Sequence, residues 1–265
     1  MSDPRSQNLR ILLTNDDGVH APGLAALEEQ LQLLGEVTVV APAIEQSGVG
    51  HSITFLTPLV CQEVFDGERR RGWAVEGSPA DCVKLGVSEL CHPRPDLVVS
   101  GINGGLNAGI NVLYSGTVAA AIEGAFFGIP SIAISLEHDE HADFTSAAKL
   151  ARQLIEQIIA HPDPPSRLFN VNIPTAGVRN PIGVKLVPMG VARYGEHFLR
   201  RQDPQGRVYF WATLDPPPQA ESHATDLSAL KQGFITLTPL HYDMTLNSAL
   251  DAMQSWSFDL TEVQL

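Results

Sequence analysis

The chain has 265 residues, 44% of them hydrophobic, enough for one large domain or a core with an appendage. Its formal net charge of −13 argues against a nucleic-acid polymer as partner, because phosphate backbones are met by basic patches; a small phosphorylated substrate stays open, since a bound cation supplies positive charge locally. No apolar run is long enough to span a bilayer, and the polar start Met1–Asn8 lacks a signal-peptide core, so a cytoplasmic protein with a frayed N-terminal tail and no membrane partner is expected.

The first predicted element is a strand over residues 10–14, a short apolar run that ends on Asn15-Asp16-Asp17-Gly18. Pro22 sits where a helix over 23–34 begins, a position that suits proline. A strand over 37–41 leads into Pro42-Ala43-Ile44-Glu45-Gln46-Ser47-Gly48, and a helical pattern covers 80–90. A strand over 97–100 is followed by Gly101-Ile102-Asn103-Gly104-Gly105-Leu106-Asn107-Ala108-Gly109, then Tyr114-Ser115-Gly116-Thr117 opens a helix over 117–127. Strands over 131–135 and 168–173 flank a helix over 144–160. Alternating helices and near-continuously apolar strands predict a doubly wound, mostly parallel α/β sheet, with a core over residues 9–181.

From about residue 182 the pattern changes. Strands over 184–188, 193–201, 207–213 and 234–239 are joined by turns, Pro216-Pro217-Pro218 is a stiff loop, and a helix over 246–258 closes the chain. This second part, 182–265, has too little alternation to be a sheet-building unit, although part of it is allowed to return to the core sheet. A hairpin arm cannot bury both faces alone, so its apolar stretches predict at least a homodimer closed by two-fold symmetry.

Three strand ends deliver small oxygen-bearing side chains and glycines to one edge, the ligand-binding edge of an open α/β sheet. Asp16 and Asp17 are hard oxygen ligands; neighbouring strand residues point to opposite faces, so sharing one ion requires the strand to break, as Gly18 indicates. Taken alone, the pair equally well caps the next helix. The glycine-rich loops and the start of the 117–127 helix offer backbone N–H groups to a phosphate, although each loop alone would be an ordinary turn. His138-Asp139-Glu140-His141 reads as a solvated turn, His20 as helix-start packing beside the aspartates, and Cys61, Cys82 and Cys91 as small buried hydrophobes.

Four ordered segments carry a resemblance. Leu12–Gly23, Val40-Ala41-Pro42 through Ser47-Gly48, Val99–Asn107 and Tyr114–Ala121 are similar to the motifs of the SurE (survival protein E) nucleotidases, and the similarity continues through Gln202-Asp203-Pro204 and Thr236–Leu240. It implies a Rossmann-like core with a C-terminal hairpin and helix for oligomerisation, as a homodimer or homotetramer. It implies a metal-dependent phosphomonoesterase acting on nucleoside monophosphates, a 5′-nucleotidase or acid phosphatase, with 3′-nucleotides and polyphosphate open as further substrates. Carried over by motif, the metal ligands are Asp16, Asp17, Ser47 and Asn103. Phosphate and substrate contacts are expected from Asn15, Asn103, Gly104, Asn107, Ser115, Gly116 and Thr117. Gly77-Ser78-Pro79-Ala80-Asp81 departs from the family's usual Gly-Thr-Pro-Thr-Asp, which puts a substrate role for that loop in doubt.

Two carboxylates, a hydroxyl and an amide carbonyl suit one Mg²⁺ or Mn²⁺ per subunit and not a structural zinc. The expected chemistry is metal-assisted hydrolysis, with Asp16, Asp17 or no side chain at all as general base. Strand one lacks an Asp-x-Asp pair and Gly-x-Gly-x-x-Gly, and the chain has no Walker loop and no Gly-x-Ser-x-Gly elbow. The rival from another class is a non-catalytic nucleotide- or metal-binding regulatory module.

Overall fold

The structure, a computed structural model, describes residues 8–162, 164, 166–191, 196–214 and 223–258. The expected N-terminal tail, the first residues of the expected strand 193–201 and the Pro216-Pro217-Pro218 loop lie outside the described residues.

The five strands expected in the core are present as β1 (Leu9–Thr14), β2 (Gly35–Pro42), β5 (Leu97–Gly104), β6 (Ser131–Leu136) and β7 (Leu168–Ile173). They are joined by β3 (Cys61–Asp66), β4 (Arg69–Val75), β8 (Val184–Leu186) and β11 (Ile235–Pro239) in the order β3-β4-β2-β1-β5-β6-β7-β11-β8. The pairs from β4 through β7 are parallel, whereas β3 and β11 run antiparallel to β4 and β7. The strands β5, β6 and β7 are buried almost throughout, which is why they read as continuous apolar runs without alternation.

Helices cover both faces. On one, α1 (Pro22–Leu31) packs beside α4 (Phe144–Ile159); on the other, α2 (Pro79–Leu85) packs beside α3 (Gly116–Phe126). The α4 stripe Ala147, Ala148, Ala151, Leu154, Ile155 and Ile158 repeats at helical spacing and is buried against the sheet. Pro22 stands at the start of α1 as expected, and Ser78 caps α2 in a reciprocal capping box with Asp81. Ala80 is fully buried in this helix, so its place in the departing Gly77–Asp81 segment is a packing one.

The C-terminal part divides differently from the expectation that it builds little sheet. Strands β8 and β11 extend the main sheet, with β11 inserted between β7 and β8, antiparallel to the first and parallel to the second. Among the described residues only β9 (Glu196–Gln202) and β10 (Val208–Leu214) stand apart, as a two-stranded antiparallel arm. Short helices α5 (Thr175–Arg179) and α6 (Asp226–Lys231) were not evident in the pattern, and the closing helix α7 spans Asn247–Met253 with no buried residue.

Candidate active site

Strand β1 is flanked by β2 on one side and β5 on the other. The chain therefore reverses its winding direction at β1, and ligands bind in the crevice outside the strand ends at such a point. All three strands end there on the polar segments singled out above. Gly18 has φ +98°, so the strand breaks directly after Asp17, the condition for the two aspartates to face one ligand. The Asn15 amide closes this turn by donating to the Gly18 carbonyl at 2.9 Å.

Asp16 is 5% exposed. It accepts the Thr117 hydroxyl at 2.5 Å and the Thr117 N–H at 3.1 Å, so the first turn of α3 is locked to the end of β1. Gly116 makes this approach possible: a Cβ there would lie 2.9 Å from the Asp16 Cβ and 3.0 Å from Pro79 Cγ. The half-buried Asp17 accepts the Gly104 N–H at 3.3 Å, which brings the end of β5 to the same place. The neighbouring Asn103 donates its amide to the Gly105 carbonyl at 2.6 Å, and its oxygen accepts no hydrogen bond among the described residues.

The segment after β2 closes the third side. Gln46 donates its N–H to the Asp16 carbonyl at 2.7 Å, placing exposed Ser47 beside the aspartates. The Ser47 hydroxyl donates to Glu45 at 2.6 Å. Beyond Ser47 the loop is tethered four more times: Gly50 N–H to the Tyr114 carbonyl at 3.0 Å, His51 to Glu123 of α3 at 2.9 Å, the Ser52 carbonyl from the Ser78 hydroxyl at 2.6 Å, and Thr54 N–H to Asp81 at 2.9 Å. These contacts bring together the loops that carry Asp16, Asp17, Ser47 and Asn103 at the ends of three strands.

A family model described as survival protein SurE matches residues 11–196. The chain belongs to the SurE family. A protein of Rhodopirellula baltica named 5′-nucleotidase SurE is 58% identical over 250 residues, covering 94% of this chain and 99% of the relative. One of the same name from Heliobacterium modesticaldum is 43% identical, covering 94% and 92%. Among solved structures, the SurE protein of Aquifex aeolicus superimposes with a TM-score of 0.81 at 38% identity, covering 92% of this chain and 98% of that one. The mostly parallel α/β fold with its C-terminal extension is therefore the SurE fold.

The donor set at this SurE site fits a hard divalent cation. Burial raises the Asp16 carboxyl to about 6 against the lowering effect of the Thr117 hydroxyl, and the charge of Asp17 adds to the rise. Burial also raises Asp17, opposed by the Gly104 N–H and assisted by Glu45. Among the described residues no Lys, Arg or His forms an ion pair with either carboxylate, so the protein concentrates negative charge without compensating it. The side-chain oxygens of Thr14, Asn15 and Ser100 are buried without a hydrogen-bond partner among the described residues, and Thr14 and Ser100 are in register across β1 and β5. Unpaired buried oxygens are costly and call for water or an ion nearby. Among the described residues no three His, Cys, Asp or Glu side chains gather to hold an ion.

Several groups of the expected substrate contacts are engaged within the protein, Asn15 and Gly104 as given above. Thr117 gives both donors to Asp16. Asn107 is buried, donating its N–H to Asn172 at 2.8 Å and its amide to Ser135 at 2.8 Å, while its carbonyl accepts from Asn170 and Asn172. The Ser115 hydroxyl caps α3 by accepting the Val118 N–H at 3.1 Å. Among the described residues the N–H of Gly116, at the start of α3, donates to no side chain or loop carbonyl. His138–His141 is a largely exposed turn, and His20 is exposed at the start of α1. Sequence reasoning missed Glu45, the His51–Glu123 pair and the loop tether at Asp81. Of these only Asp81 had a local signal, its position three residues after the capping Ser78.

Proposed function

We infer that this chain hydrolyses phosphate monoesters of nucleosides, as a divalent-metal-dependent 5′-nucleotidase. The observation that carries this is the pair of uncompensated carboxylates, Asp16 and Asp17, at the strand edge beside the start of α3, in a chain whose relatives are named 5′-nucleotidases. The rival of a non-catalytic binding module draws no support from those relatives.

In this reading Asp16, Asp17, Ser47 and Asn103 hold one Mg²⁺ or Mn²⁺ per subunit. Bound there, the ion would supply positive charge to phosphoryl oxygens and would make a coordinated water more acidic. Thr117 holds Asp16 in the orientation for binding the ion. The N–H of Gly116 donates to the remaining phosphate oxygens, where negative charge is stabilised by fixed donors at a helix start. Gly104 shapes the turn, Ser115 fixes the first turn of α3, and Asn15 and Asn107 hold the loops. In the net hydrolysis the hydroxyl of one water goes to phosphorus and its proton to the ester oxygen of the departing nucleoside.

The arm supports self-association. On one of its faces Tyr209, Trp211 and Leu199 are exposed; on the other, Phe198 and Phe210. Helix α7 adds exposed Leu250 and Met253, flanked by Leu246 and Trp256. Surfaces of this kind are covered in a homodimer or homotetramer.

The test is phosphate release from a panel of nucleoside monophosphates with Mn²⁺ or Mg²⁺ and again with excess chelator. Release is expected only with metal. Full activity in chelator, or no release from any monophosphate with either ion, overturns the proposal.

A further inference from the structure

Between the end of β5 and the start of α3 the chain runs through residues 105–115, a loop with no charged side chain of its own. It follows Asn103-Gly104 directly and ends on Ser115, the cap of α3, so its shape sets the spacing between the two halves of the site. Its middle is held by a carboxylate from 117 positions away. Asp226 accepts the Gly109 N–H on one oxygen at 2.8 Å; on the other it accepts the Gly190 N–H and the Leu227 N–H, each at 2.8 Å. Its own N–H donates to the Pro188 carbonyl at 3.0 Å.

Asp226 is 0% exposed and has no cationic partner among the described residues. A buried charge persists only where hydrogen bonds satisfy it. Serving α6 alone would need little of this arrangement, because Thr225 and Ser228 already cap that helix reciprocally. Two of the three donors to Asp226 lie instead in other segments: the site loop at Gly109, and Gly190, which precedes the β9–β10 arm. Gly109 has φ +59°, and a Cβ there would lie 2.8 Å from Leu227 Cδ1, so the loop touches α6 at its midpoint.

We propose that Asp226 is a positioning residue for phosphoryl hydrolysis: it holds the 105–115 loop at the spacing that the Asp16–Asp17 centre and the start of α3 require, and ties that loop to the root of the arm. This rests on the reading of the site as a metal-dependent phosphatase.

The experiment uses the full chain with AMP and Mn²⁺, comparing wild type, Asp226→Asn, Gly109→Ala and a core control, Ile155→Ala in α4. Asparagine keeps the shape of Asp226 but replaces an accepting oxygen with an amide that cannot accept. Expected for folded Asp226→Asn is a loss in kcat/KM of about 10- to 100-fold, with faster hydrogen exchange at the 105–115 amides. Ile155→Ala is expected to lower the melting temperature while keeping kcat/KM per folded molecule. Unchanged kcat/KM, or loop amides protected as in wild type, overturns the proposal. If Asp226→Asn does not fold, Gly109→Ala decides on the same two readouts. If the wild type releases no phosphate, the phosphatase reading fails by itself, and hydrogen exchange still judges whether Asp226 holds the loop.

Discussion

Thr117 donates twice to Asp16, through its hydroxyl at 2.5 Å and its N–H at 3.1 Å. The residue that sequence places at a phosphate-binding helix start is therefore occupied in orienting a carboxylate. Groups behind a metal ligand typically set its affinity by about 10- to 100-fold. Thr117→Val keeps the size and the N–H but removes the hydroxyl, so Mn²⁺ affinity measured by calorimetric titration should fall by about 10-fold or more. Thr117→Ser should retain most of it. Wild-type affinity in Thr117→Val would show that the hydroxyl does not position Asp16.

The buried Asp16 also gives the metal-free protein a distinctive pH response. Its folded-state pKa is raised to about 6 from 3.8, so the native state holds this proton more tightly than the unfolded chain. The associated stability is complete below the unfolded value and is lost as pH rises through about 6, to an extent of up to about 3 kcal/mol. Urea unfolding of chelator-treated protein at pH 5 and pH 7.5 should show this loss, and Asp16→Asn should lack that component. Added Mn²⁺ should restore stability at pH 7.5. Identical pH dependence in wild type and Asp16→Asn would remove Asp16 as its source.

Gly116 tests how tightly the site is packed. An alanine methyl there would press on Asp16 and Pro79 at 2.9 and 3.0 Å, whereas at Gly104 it would meet only the Phe144 ring at 3.7 Å. Gly116→Ala should cost about 1–3 kcal/mol of stability by overpacking, and over 10-fold in kcat/KM as Asp16 shifts, by the usual cost of a misplaced group. Gly104→Ala should leave the melting temperature within a few degrees of wild type. Equal activity of Gly116→Ala and wild type would separate Asp16 from the reacting geometry.

The arm makes a prediction about mass. Light scattering at micromolar concentration should give a multiple of the 28.6 kDa chain. Replacing Phe210 and Trp211, exposed by 58% and 64%, with serine should shift the mass toward the monomer without unfolding the core sheet. A monomeric wild type would assign the arm to another role.

Much of this molecule is written locally. The apolar run into Asn15-Asp16-Asp17-Gly18, the alternation from β1 to β7 and the helix starts at Pro22 and Gly116 were legible because strand and helix periods, proline and glycine act within a few residues. Strands β3 and β4 were not legible: Cys61–Asp66 and Arg69–Val75 lie toward the sheet edge and carry many polar side chains, so no apolar period marks them. Nor was the insertion of β11 between β7 and β8, because a strand's local pattern does not name its partner. Only the tertiary structure decided that Thr117 serves Asp16, 101 positions away, and that Asp226 holds Gly109, 117 positions away. Those choices follow from which buried polar groups remain to be satisfied once the sheet has closed around them, a condition set by the packed fold and by no single stretch of chain.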